Sequence, residues 1–180
     1  AVTLEAENLI FNNNKDGSVI KADSLTLKSS VFTNNLVTYT ASKGLVMFKT
    51  SGKMTKFEVE DLTFINNTVH TGCLLPTKSS TTATITDCTF IGNKGTNRAS
   101  AVCLDSGVSL VIQSSKFINN TDTGDYSSVI YVTSGTLVLK DSIILNNSFE
   151  NNNNLIINGN DANLKKVTAN NNWWGNTPDN

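Results

Sequence analysis

One eleven-residue phrase, LVIQSSKFINN at residues 110–120, is written with variations six more times along the chain, and it limits the fold more than any other feature. Two apolar residues alternate, a short polar corner follows, an aromatic or aliphatic residue comes next, and a pair of asparagines closes the unit. With Phe117 as the marker, its counterparts are Phe11, Phe32, Phe64, Phe90, Ile144 and, degenerately, Ala169. The intervals in chain order are 21, 32, 26, 27, 27 and 25 residues. A recurrence of about 20 to 50 residues is the signature of a solenoid, a propeller or an array.

Each unit divides into three short strands. Positions −7 and −5 from the marker hold Leu4 and Ala6, Leu25 and Leu27, Phe57 and Val59, Ala83 and Ile85, Leu110 and Ile112, Leu137 and Leu139, Ala162 and Leu164. Period two over so short a run marks a strand with one face in a core. Position −3 is small and polar in six units (Asn8, Ser29, Asp61, Asp87, Ser114, Asp141), the residue types that turn a corner by bonding nearby backbone. The marker strand follows, then the Asn pair, then a third strand: SVIKA, GLVMF, GCLLP, SAVCL, SSVIYV and NLIIN.

No window carries the i, i+3, i+4, i+7 stripe of a helix. The period also falls short of the roughly 40 to 45 residues of a four-stranded propeller blade. The spacing predicts an all-β chain: a parallel β-helix of about seven coils, each of three short strands, stacked at about 4.8 Å so that like residues form ladders. The right-handed form is expected, because the left-handed triangular coil keeps a stricter hexapeptide period. Residues 1–180 read as one β-helix domain, with 170–180 as a C-terminal cap or exit segment.

Asn, Ser and Thr supply 26, 18 and 23 of the 180 residues, a composition that disorder would also explain. Their phasing argues for order, since Asn pairs fall at one phase and aliphatic residues at another. The net charge of −1, from 14 basic and 15 acidic residues without strong blocks, argues against phosphate-backbone binding as the main task, so no nucleic-acid partner is expected. No apolar run of membrane-spanning length is present, and no membrane insertion by this segment is expected. The abrupt start on AVTLEAENLIF suggests a mature or excised segment.

The markers Phe11, Phe32, Phe64, Phe90 and Phe117 predict an internal ring stack, and Asn35, Asn67, Asn93, Asn120 and Asn147 predict a stacked amide ladder. Asn66, Asn119 and Asn146 each begin an Asn-Asn-Thr or Asn-Asn-Ser triplet that matches the glycosylation acceptor pattern. An acceptor must be exposed, whereas a ladder residue points inward, so one residue cannot do both. Trp173 and Trp174 fall where the repeat degrades, and a solenoid end needs a cover, so they read as a cap.

Chemistry-bearing residues are sparse. Asp61 and Asp87 share a phase on adjacent coils, as a catalytic or cation-binding pair would, but the same column holds Asn and Ser, as a corner does. Asp122 and Asp125 form the other acidic group, in the TDTGDY bulge, where a weak structural calcium ion is conceivable; no metal site or cofactor is otherwise indicated. His70 stands without a ligand constellation. Cys73 and Cys103 occupy the same strand type in successive coils, which puts a disulfide within reach, with buried thiols as the alternative. Tyr39, Asp122, Asp125 and Tyr126 are the binding candidates, carried on the variable loops 36–43, 121–127 and 149–154.

The F-x-N-N unit and the ending NNNWWGNTPDN, with Asn172, Trp173, Trp174 and Gly175, resemble the adhesin-like surface proteins of methanogenic archaea. The F-x-x-N element is also similar to repeats of polymorphic outer-membrane autotransporters, whose Gly-Gly-Ala-Ile partner survives here only loosely, as at Ser100-Ala101-Val102 and Lys43-Gly44-Leu45. The resemblance implies a right-handed β-helix at an extracellular cell surface, acting as an adhesin or stalk toward a cell-surface glycan or surface protein. It brings no catalytic residues. End-to-end self-association is a further expectation, since an open helix end exposes strand edges. A polysaccharide lyase or glycoside hydrolase of β-helix type and a structural filament subunit are the alternatives.

Overall fold

The computed structural model describes residues 2–37, 44–48, 56–76, 82–104, 107–132, 135–150, 155–158 and 164–175. The chain winds as a parallel β-helix, and every strand pairing is parallel, joining one coil to the next. The longest strands form a seven-stranded sheet in coil order: Thr3–Glu7, Ser24–Lys28, Lys56–Glu60, Thr82–Thr86, Val108–Gln113, Gly135–Lys140 and Leu164–Asn170. The marker strands, such as Thr63–Ile65 and Lys116–Ile118, form a six-stranded sheet, as do the strands typified by Gly72–Leu75 and Val102–Leu104.

A fourth, narrow ladder completes each coil. Leu36–Val37, Thr68–Val69, Lys94–Gly95, Thr121–Asp122 and Ser148–Phe149 follow directly after the Asn pairs. Two residues are too few to show alternation in a sequence, so the three longer strands are legible and this one is not.

The corners explain the polar columns. Among the described residues, twelve of the thirteen non-glycine residues with positive φ fall in two columns. One is the −3 column, Asn8, Ser29, Asp61, Asp87, Ser114, Asp141 and Asn171, with φ from 44° to 58°. The other is the first residue of each Asn pair, Asn13, Asn34, Asn66, Asn119 and Asn146, where Gly92 fills the one place without Asn. A left-handed corner is costly for most side chains and cheapest for Gly, Asn and Asp.

Inside, Phe11, Phe32, Phe64, Phe90 and Phe117 stack with centroids 4.7–5.0 Å apart and rings within 13° of parallel. Their four inner members are fully buried beside Leu25, Leu27, Val59, Ile85 and Ile112. Along one edge of this core runs the amide ladder Asn14, Asn35, Asn67, Asn93, Asn120, Asn147. In each step the carboxamide Oδ1 accepts from both the backbone N–H and the Nδ2 of the Asn one coil earlier, at 2.8–3.0 Å. The Nδ2 also donates to a marker carbonyl, as Asn67 does to Phe32 and Asn93 to Phe64, both at 2.9 Å. Every polar atom of these buried amides is thereby used, which burial requires.

A second ladder lines the position two before the marker. Ser30, Ser115 and Ser142 each donate Oγ to the carbonyl two residues back, at 2.7–2.9 Å. In return they accept from the backbone of the preceding coil, as Ser115 does from the Cys88 N–H. Cys88 makes the same backward bond with its thiol, to Thr86 O at 3.2 Å.

The seventh coil corrects the sequence alignment. After a bulge, Val167 lies opposite Leu137 and Ala169 opposite Leu139, so Ala169 takes the −5 position and is not the marker. The marker strand is joined instead through the bridge between Ile143 and Trp173, which sets Trp174 against Ile144. Asn171 takes the corner held by Asp141 in the sixth coil, and Asn172 Oδ1 accepts from Ser142 N–H at 3.0 Å. Period-two patterns slide along each other without changing the apolar face, and the bulge absorbs the odd residue. Trp173 and Trp174 thus extend the coil stack, with 49% and 43% of their surface exposed.

Candidate contact site on the fourth and fifth coils

The regular winding is interrupted between the narrow ladder and the next strand, at Thr96–Ser100 in the fourth coil and Thr123–Ser128 in the fifth. The two excursions are strapped together. Thr123 N–H donates to Gly95 O at 3.1 Å, Tyr126 N–H to Asn97 O at 3.2 Å and Ser128 Oγ to Arg98 O at 2.8 Å. Gly124 is demanded by contact, because a Cβ there would stand 2.2–2.4 Å from the backbone of Asn97. Its N–H donates to Asp122 Oδ1 at 2.8 Å, and its carbonyl accepts from Ser127 Oγ.

The excursions roof an apolar cluster on the outside of the coil. Leu75, Ala99, Cys103 and Tyr131 pack together, each no more than 5% exposed. Tyr126 meets Tyr131 edge-on at 5.9 Å and 66°, and the Arg98 guanidinium lies 5.5 Å from the Tyr131 ring centre. Tyr126 itself is 51% exposed and Asp125 is exposed beside it, while Arg98 is half-buried. The site therefore presents a phenol ring, a carboxylate and a guanidinium on a backbone fixed by hydrogen bonds. Such a set makes reversible stacking and hydrogen-bond contacts, and aromatic rings of this kind bring large contact area with few rotatable bonds.

Asp122 has a different place. Its column in the narrow ladder holds Val37, Val69, Gly95 and Phe149, and the two valines belong to the core. Asp122 is fully buried, and its Oδ2 has no hydrogen-bond partner. The missing side chain of Gly95 makes the room, since a Cβ there would stand 2.1 Å from that oxygen. Burial pushes the Asp122 carboxyl up to about 6, against the opposing pull of the Gly124 and Ser128 amides. Asp122 thus lies beneath the exposed Asp125 and Tyr126, with no surface of its own exposed. Among the described residues no group of three or more His, Cys, Asp or Glu converges.

The remaining candidates are dispersed. Tyr39 lies outside the described residues, as does most of loops 36–43 and 149–154. Asp61, Asp87 and Asp141 are exposed left-handed corners, and Asp61 Oδ2 accepts from Ser29 Oγ at 3.0 Å. His70 is half-buried, with Nδ1 2.9 Å from Thr71 Oγ1. No disulfide joins Cys73 and Cys103, and both thiols are buried. Leu74 pairs with Val102, so the cysteines are two residues out of register, roughly 8 Å between Cα atoms, beyond the reach of a bridge. Burial raises the thiol pKa of Cys73 far above its ordinary value and that of Cys88 to about 12, which disfavours the thiolate in both.

One cluster was not singled out from the sequence. On the outer face of the long sheet, Glu5 and Glu7 of the first coil and Glu58 and Glu60 of the third flank Lys28 of the second, above two shallow depressions. Lys28 pairs with Glu60 at 2.6 Å and Lys56 with Glu58 at 3.1 Å, so both third-coil carboxylates are ion-paired. The signal was present in the outward, polar phase of the same alternation that marks the core.

Comparison with protein-family models, with curated proteins and with solved structures finds no match to this chain. Among the described residues no helix is long and apolar enough to cross a membrane.

Proposed function

We propose that the chain is a non-catalytic module of an extracellular, cell-surface protein, a stiff stalk holding an adhesive contact site toward a glycan or another surface protein. The observation that carries the reading is the strapped loop pair, which displays Tyr126, Asp125 and Arg98 on a scaffold whose amide and ring ladders run almost its full length. Preorganised polar and aromatic groups lower the ordering cost of a weak, reversible contact. The repeat resemblance to adhesin-like surface proteins supports the same reading.

The test is binding of the intact chain to an array of glycans and polysaccharides, with product release scored on the same polymers. Saturable binding without product, weakened about tenfold or more by Tyr126→Ala, is the expected result. Release of product would overturn it in favour of a lyase or hydrolase and move attention to the Glu58–Glu60 face. Absence of both, with fibres growing as concentration rises, would favour a filament subunit.

A further inference from the structure

The first Asn of each pair and the second have opposite environments. Asn67 and Asn120 are fully buried and Asn147 is half-buried, and their amides are committed to the ladder. Asn66, Asn119 and Asn146 are exposed at left-handed corners with φ of 53–54°. Two residues on, Thr68, Thr121 and Ser148 each open a strand of the narrow ladder, which completes three acceptor triplets on one corner of the solenoid. Asn13 and Asn34 share the corner but are followed at the hydroxyl position by Lys15 and Leu36.

The three acceptors differ in the space around them. Asn66 faces Gly92 on the next coil, and its Oδ1 occupies the volume a side chain would take, 2.5 Å from where a Cβ would stand. Asn119 and Asn146 are on adjacent coils, about 4.8 Å apart. A pyranose with its hydroxyls fills that spacing.

We propose that Asn66 and one of Asn119 and Asn146 are N-glycan acceptors, so that a copy of the chain exported through a glycosylating compartment carries two N-glycans along one corner. The proposal rests on the extracellular reading above. The donor is a polyprenyl-phosphate-linked oligosaccharide presented by an oligosaccharyltransferase. The Asn Nδ2 forms a bond to the anomeric carbon, the bond from that carbon to phosphate oxygen breaks, the phosphate leaves with the electron pair, and Nδ2 loses one proton. Attachment precedes the stacking of each coil, because the hydroxyl residue of each triplet is later held in a strand. A chain modified at both Asn119 and Asn146 cannot stack its fifth coil on its sixth, so the folded, secreted chain carries only one of these two.

The full chain, given an export signal and secreted from eukaryotic cells, is examined by intact mass and by peptide mapping after enzymatic release of glycans. Two glycans are expected, one at Asn66 and one shared between Asn119 and Asn146. Asn66→Gln and Thr68→Ala should each remove one glycan, the second while leaving the acceptor amide intact. Asn119→Gln should leave two glycans, with Asn146 fully occupied. A secreted chain with a strand-rich circular dichroism spectrum and no glycan at any of the three would overturn the proposal, as would a folded chain carrying all three. Because export is imposed, neither failure bears on the adhesive reading, which the binding array decides separately.

Discussion

At the scale of single residues, neighbours of the same type do unlike work. The Asn93 carboxamide makes four hydrogen bonds in a dry interior, so Asn93→Ala leaves the Asn67 backbone N–H without its acceptor. It also takes one partner each from Asn67 Nδ2, the Phe64 carbonyl and the Asn120 oxygen, the last keeping only the residue-93 backbone N–H. A loss of roughly 3–5 kcal/mol is expected in denaturant unfolding. Asn66, one residue before a ladder member, is exposed, and Asn66→Ala should cost only about 1 kcal/mol, the penalty of a left-handed alanine. Asp122 makes the third case. Its folded pKa of about 6 lies above the ordinary 3.8, so the folded state binds the proton more tightly. The penalty of burying the charge is absent below pH 3.8, grows above it, and is complete above about pH 6. Going from about pH 7.5 to pH 5 should therefore raise its contribution to stability by roughly 1–2 kcal/mol. Asp122→Asn should flatten that rise, and equal pH slopes for the two proteins would count against the burial of this carboxylate.

At the scale of elements, the loop pair is the part whose order depends on one small residue. Gly124→Ala forces the fifth-coil excursion away from Asn97. Hydrogen exchange should speed up at Thr123 and Tyr126, whose N–H groups bond the fourth-coil loop, while Leu110, Ile112 and Phe117 keep their protection. Unchanged exchange at Thr123 and Tyr126 would mean that the strap does not depend on this contact. Much of the coil was legible in the sequence because it obeys a rule of period two plus a corner: the Phe stack, the inner Asn ladder and the −3 corners all follow from phase. Other features escaped because they depend on contact instead of period. The depth of Asp122 is set by the absence of a side chain at Gly95, one coil away, and the Ser ladder with Cys88 is visible only when coils are laid in register. Tyr126 and Asp125 could be found as off-phase residues in a bulge. Arg98 could not, because nothing in the sequence ties the fourth-coil loop to the fifth.

At the scale of the whole molecule, each coil touches only its neighbours, so stability is a sum of coil and interface contributions. The described coils two to five hold the fully buried ring and amide positions, whereas Leu4, Ala6, Leu9 and Phe11 of the first coil are only partly covered and Val167 and Trp173 of the last are exposed. Native-state exchange should therefore be slowest at Phe64, Phe90 and Phe117 and rise toward both ends, in steps of whole coils. Uniform protection from Ile10 to Ile144 would instead indicate a single cooperative unit.

The amide ladder has one more property. In every rung the carboxamide oxygen points to the preceding coil and the N–H groups to the following one. Each amide is a dipole of about 3.5 D, and these are aligned head to tail, as the peptides of a helix are. A column of neutral side chains thus gives the solenoid an electrical direction that its formal charges do not. The Asn14 end is the negative pole, and the Asn147 end is the positive one. Any coil added at either pole must run in the same sense, because an inverted one would set oxygen against oxygen or N–H against N–H.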